Sequence, residues 1–88
     1  MSSDGNLILR LTGVEAAVNA ASNTTVSNSS FVRVLNTSAA ALLTIKPADG
    51  SANCTMTIAS GGEVLLAKAP GDTLFSANAM VASPVKRF

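Results

Sequence analysis

The sequence predicts a small all-β domain, an antiparallel β-sandwich or barrel, and three observations carry that reading. Apolar residues alternate with polar ones in short runs, the period of a strand with one face in a core. Those runs recur about every ten residues, with Gly-, Pro- or Asn-rich turns between them. After Phe31 no connection is long enough for the crossover that parallel pairing requires, so the strands are expected to pair antiparallel.

Taken in order, residues 1–6 are polar and are expected to form a flexible N-terminal arm. Leu7 to Leu11 reads as a strand, which Gly13 breaks. Val14, Ala17, Val18 and Ala21 have helical spacing, but no C-cap follows and their apolar side is thin, so this stretch is assigned as loop or irregular extended chain. Asn23 to Ser30 is polar and suits turns built on local side-chain hydrogen bonds, with Thr24, Thr25 and Val26 able to pair as an edge strand. Phe31 to Asn36 is a strand with Val32 and Val34 on one face and Phe31, Arg33 and Leu35 on the other, so both faces carry bulk. Thr37-Ser38-Ala39 turns the chain into a return strand from Ala41 to Lys46. Pro47-Ala48-Asp49-Gly50 ends that strand, because proline cannot donate to a ladder and Asp-Gly favours a turn with positive φ.

The stretch Asn53 to Lys68 reads as a β-hairpin. Its first arm sets Cys54, Met56 and Ile58 on one face, which makes Cys54 a small core residue. Ser60-Gly61-Gly62 supplies the turn, with Gly62 a candidate for positive φ. The second arm, Glu63 to Lys68, is apolar on both faces and is therefore expected to be a central strand, with Leu66 joining Ile58 in the core. Ala69-Pro70-Gly71-Asp72 is a further turn. Thr73 to Ser76 and Met80 to Ser83 read as short strands, and Pro84 opens a tail, Val85-Lys86-Arg87-Phe88. Residues 1–88 thus form one domain, with 31–88 its best-defined β meander.

Composition narrows the function. Of the apolar residues 15 are Ala, so the large side chains that could build a core are few, and a chain this short buries only roughly 60 to 65 per cent of its unfolded surface. One Cys allows no intrachain disulfide, and the absence of His removes the commonest metal ligand and general base. No cofactor or metal is expected. A domain without staples is instead expected to associate, as a trimer or dimer or on a larger surface. Net charge is +1 with the cations scattered singly except for Lys86-Arg87, so no stripe tracks a phosphate backbone and nucleic acid is not an expected partner. The start MSSDGNLILRL fits neither a signal peptide nor a membrane span, so the chain is expected to remain in the cytoplasm where it is made, with no membrane partner. The carboxylates Asp4, Glu15, Asp49, Glu63 and Asp72 are dispersed. An acid pair from Asp49 and Asp72 is conceivable across two loops, but carboxylates in turns ordinarily bind backbone, and no catalytic residue is assigned. The four Asn-x-Ser/Thr triplets, at Asn23, Asn28, Asn36 and Asn53, are what an Asn-, Ser- and Thr-rich chain produces by chance.

The part from Phe31 to Phe88 carries FVRVLNTS, TMTIASGGEVLLAK, APGDTLFSAN and VASPVKRF. In these elements, and above all in Asn36 after its strand, Lys68 with Asp72-Thr73, and Ser83-Pro84, it resembles small virion structural proteins of tailed bacteriophages, particularly phages of marine bacteria. The resemblance implies a non-catalytic protein of the virion that decorates or cements the capsid, or one that sits at the neck or tail as an adaptor or beside a fibre. Its partners would be the major capsid protein or other virion proteins, and it would assemble in the cytoplasm of the bacterial host. A free-standing binding module is the competing class, and would be expected to group aromatic or charged residues on loops. The residues expected to touch a partner are Lys86, Arg87 and Phe88, two cations beside an aromatic; the alternative is that Phe88 folds back on its own sheet.

Overall fold

Regular alternation needs a core to face, and the computed structural model, which describes residues 9–20 and 23–87, shows two sheets that supply it. The expected N-terminal arm, the Leu7-Ile8 start of the first strand, Ala21 and Phe88 lie outside the described residues. Among the described residues eight strands form: β1 (Leu9–Leu11), β2 (Ala16–Val18), β3 (Phe31–Asn36), β4 (Ala41–Lys46), β5 (Cys54–Ile58), β6 (Glu63–Ala67), β7 (Thr73–Ser76) and β8 (Met80–Arg87). All pairs between them are antiparallel. The larger sheet runs β1-β8-β3-β6, with β2 following β1 along the same side of β8, and the smaller runs β5-β4-β7. A single bridge between Thr24 and Leu74 extends the smaller sheet beyond β7. Read across, β1/β2-β8-β3-β6 lies over Thr24-β7-β4-β5. That is the connectivity of a jelly roll, whose Thr24 strand is here cut to one residue.

The core lies between the sheets. Val32 and Val34 of β3, Ala82 and Met80 of β8 and Val18 of β2 meet Leu43, Ile58 and Leu74 of the opposite layer, with Val26 closing one end. Val26 reaches that place through a left-handed turn in which Val26, Ser27 and Asn28 have φ of 53°, 59° and 55°. A β-branched residue rarely adopts that conformation. Complete burial of the Val26 side chain, with hydrogen bonds from the Val26 N–H to Thr24 Oγ1 and from the Asn28 N–H to Thr25 Oγ1, holds it there.

Four expectations are corrected. Asn53 to Lys68 is not a hairpin: β5 pairs with β4 and β6 with β3, so the chain arches from one sheet to the other at Ser60-Gly61. The turn is closed by Gly62 N–H to Ala59 O at 2.8 Å, and Gly61, not Gly62, takes positive φ, at 74°. Gly62 is confined differently, since a Cβ there would lie 3.0 Å from Ala59 O and 3.2 Å from Ile58 Cγ2. As a consequence of the arch, β6 is an edge strand and not a central one. Cys54 shares a face with Met56 and Ile58 as expected, yet it is exposed, because it begins the edge strand of the smaller sheet.

The chain also forms strand where an end or a loop was expected. Ala16–Val18 pairs with Ala82 to Met80, and β8 continues through Pro84 to Arg87. Pro84 O accepts from the Thr12 N–H at 3.0 Å, so the missing Pro84 N–H also faces the β1/β2 side. On that side residues 12–15 bulge against Ser83 and Pro84, and no ladder bond is lost. Gly13 sits against the proline ring: a Cβ would approach Pro84 Cγ to 3.0 Å.

Candidate docking surface

A sandwich has one inner and one outer face per sheet, and the outer face ordinarily carries polar residues. On the larger sheet it does not. The register aligns Ser83, Arg33 and Leu65 in one row across β8, β3 and β6, and Val81, Leu35 and Glu63 in the next. Continuing the same pairing by one step brings Val85, Phe31 and Ala67 into a third, with Leu11 opposite Val85 on β1. Leu65 is 42% exposed and Leu11 72%, Phe31, Leu35 and Val81 are half-buried, and Val85 and Ser83 are buried. Within these three rows the charged residues are Arg33 and Glu63, which form an ion pair between β3 and β6. Such a pair contributes little to stability when half-exposed, and it leaves these rows neutral and largely apolar.

The smaller sheet shows the ordinary pattern. Its outer positions are Leu42, Thr44 and Lys46 on β4, Thr55 and Thr57 on β5, and Thr73 and Phe75 on β7. Lys46 places its ammonium 5.1 Å from the centre of the Phe75 ring, covering the one aromatic there. The contrast picks out the larger sheet's outer face as the unusual surface.

The residues expected to contact a partner stand at one end of this sheet. Lys86 is exposed and lies opposite Arg10, and Arg87 lies opposite Leu9. They are therefore part of a strand paired with β1, not a loose tail, while Phe88 lies outside the described residues. Arg10 and Lys86 pair one position along from Leu11 and Val85, so by the alternation of a strand they stand on the opposite side of the sheet from that apolar row. Sequence reasoning missed Phe31, Leu35, Leu65 and Val81 as surface residues. For Phe31, Leu35 and Leu65 the signal lies in strands with bulk on both faces, which for Glu63 to Lys68 reads equally as central placement in a sheet.

The polar residues that carry the resemblance prove to hold the fold. Asn36 is fully buried: its Nδ2 donates to Ile58 O at 2.9 Å and Ala39 O at 3.0 Å, and its Oδ1 accepts from the Ser38 N–H at 2.9 Å. Its backbone bonds Gly62 O and the Gly61 N–H. One side chain thus ties together both arches, β3 to β4 and β5 to β6. Lys68, 8% exposed, curls over the next turn and donates to Ala69 O and Pro70 O; burial pushes its pKa below 10.5, with nearby Asp72 opposing the shift. Asp72 accepts from the Ala48 and Ala69 N–H groups and so joins two turns. Asp49 accepts from the Ser51 N–H at 2.8 Å, and hydrogen bonds from Ser51 hold its pKa below 3.8. Asp49 and Asp72, the conceivable acid pair, are each engaged with backbone. Among the described residues no three Cys, Asp or Glu side chains cluster as a metal site.

Comparisons of the chain with protein-family models, with curated proteins and with solved structures found no match.

Proposed function

We propose that this chain is a structural protein of a tailed-phage virion, which binds the outside of the capsid through the outer face of its larger sheet and cements the particle. The observation that carries the reading is that apolar face: Phe31, Leu35, Leu65, Val81 and Leu11 around an ion pair, on the side of the larger sheet turned away from the smaller one. Burying such a face on a neighbouring protein stabilises both partners at about 25 cal/mol per Å2 of apolar surface. Two further points support the assignment by analogy. Jelly-roll domains recur in viral capsids, and the phage resemblance rests on Asn36, Lys68, Asp72 and Pro84, residues that build this fold. A fold hosts many functions, so the weight falls on the surface.

The test is mass spectrometry of purified particles, counting copies of the chain per major capsid subunit in wild type and in Leu65→Lys and Leu35→Lys variants. Both side chains point outward, so the isolated variants should keep the wild-type circular dichroism while particle occupancy falls at least tenfold, the effect of about 1.4 kcal/mol. Unchanged occupancy would remove this face from the interface. Absence of the wild-type chain from particles would defeat the virion assignment.

A further inference from the structure

The four sheet edges of this sandwich are not alike. Along β8 the edge is split into two three-residue strands by the bulge at residues 12–15, and it carries Arg10. The edge at β7 is capped by Thr24, whose N–H and C=O bond Leu74 at 3.2 and 2.8 Å. The edge at β6 begins at Glu63, paired to Arg33, and ends against Lys68. Each of these is a recognised way of blocking an edge against further strands. Among the described residues, the β5 edge has none of them. Cys54-Thr55-Met56-Thr57-Ile58 has no charge, no proline, no glycine and no bulge, and it holds five consecutive residue pairs with β4. Every second residue of β5 therefore turns its N–H and C=O away from β4, toward the open side of the sandwich.

Beside that edge lies a hollow of about 180 Å3 between the sheets, lined by Leu43, Ile45, Cys54, Thr55, Met56 and Leu66. A cavity of about 150 Å3 admits a benzene-sized apolar group. Main-chain donors along a straight edge, next to an apolar hollow on the inner side, call for an extended strand whose inner residues are apolar and whose outer residues are polar but uncharged. β5 itself has that pattern, with Met56 and Ile58 inward and Thr55 and Thr57 outward.

We propose that β5 is a self-pairing edge: two copies of the chain join antiparallel through β5 about a twofold axis at Met56, making one continuous six-stranded sheet. This register pairs all five residues of each β5, sets Met56 against its twin and Thr55 against Thr57, and brings no charges together. Any shift that keeps the inner faces aligned leaves residues unpaired. Threonine pairs across strands are favourable, and the interface is isologous, as a twofold dimer requires. Each copy's Met56 comes to the mouth of the other's hollow. The proposal depends on the edge and the hollow alone, and stands or falls separately from the virion reading.

Sedimentation of the full chain tests it. Wild type should be dimeric, with a melting temperature that rises with concentration. Thr55→Lys/Thr57→Lys, which sets like charges opposite each other on an exposed face, should be monomeric with unchanged circular dichroism. Mixing it with Thr55→Glu/Thr57→Glu should restore a dimer containing one copy of each. Independently, Met56→Cys in a Cys54→Ser background should oxidise to a covalent dimer, since directly opposed residues have the Cα separation a disulfide needs. Wild-type Cys54 should not, because its twin lies about 14 Å away along the strand. Three results would each overturn the proposal: a wild-type monomer at hundreds of micromolar, a lysine variant that stays dimeric, or faster cross-linking of the wild type through Cys54 than of the Met56→Cys variant.

Discussion

Two polar residues show how much of this fold rests on single side chains. Asn36 satisfies all its hydrogen-bonding groups inside the core, with three side-chain bonds that no apolar residue can replace. Asn36→Ala should cost about 3 kcal/mol, the loss of three bonds and the stranding of a buried carbonyl. A denaturant melt measures it, and a loss under about 1 kcal/mol would mean that the arches hold without the amide. Lys68 works in the opposite sense. Its folded pKa lies below the unfolded 10.5, so between those two values the unfolded chain holds the extra proton and stability rises with pH. Below that window folding bears the full cost of desolvating the charge. Relative to Lys68→Met, wild type should therefore gain stability as pH climbs toward 10.5 and show a flat difference near neutrality. Urea melts of both proteins across that range would contradict this if the difference stayed constant or fell.

At the scale of elements, the decisive fact is that β5 and β6 lie in different sheets although only a four-residue turn separates them. This makes the two arms unequal. Ile58 is 3% exposed and belongs to the central cluster, whereas Leu66 is half-buried and lines the hollow. Ile58→Ala should cost about 3 kcal/mol, while Leu66→Ala, which enlarges a hollow already present, should cost about half as much. Equal losses in parallel denaturant melts would show that the hollow closes in solution. Alternation alone treats both residues as core, since period two reports which face a residue is on and not whether another layer reaches it.

For the whole molecule, the C-terminal strand joins the fold to its surface. β8 lies between β3 and the bulged β1/β2, so deleting residues 86–88 removes the register partners of Leu9 and Arg10. The truncated chain should melt at lower temperature and lose strand signal in circular dichroism. An unaltered melt would show that β1 adds nothing to stability. Charge reversal at Lys86 is accordingly the better probe of whether that cation touches a partner, because it leaves the ladder intact.

The fold class, the places of the strands from Phe31 to Ser83 and most turns were legible in the sequence, because side-chain period and the backbone needs of Gly, Pro and Asp-Gly are local properties. Which strands pair was decided only in three dimensions. A short Gly-containing turn serves a hairpin or an arch equally well, and here the choice falls to Asn36, a residue 22 positions away from Ile58, whose bond to it exists only once both sheets are in place. The same holds for Pro84. By itself it marks the end of a strand, and it continues one because residues 12–15, far away in sequence, bulge where its N–H is missing. The candidate surface follows from that pairing: Phe31, Leu35 and Leu65 are apolar from the sequence alone, but only the sheet order turns their face away from the smaller sheet.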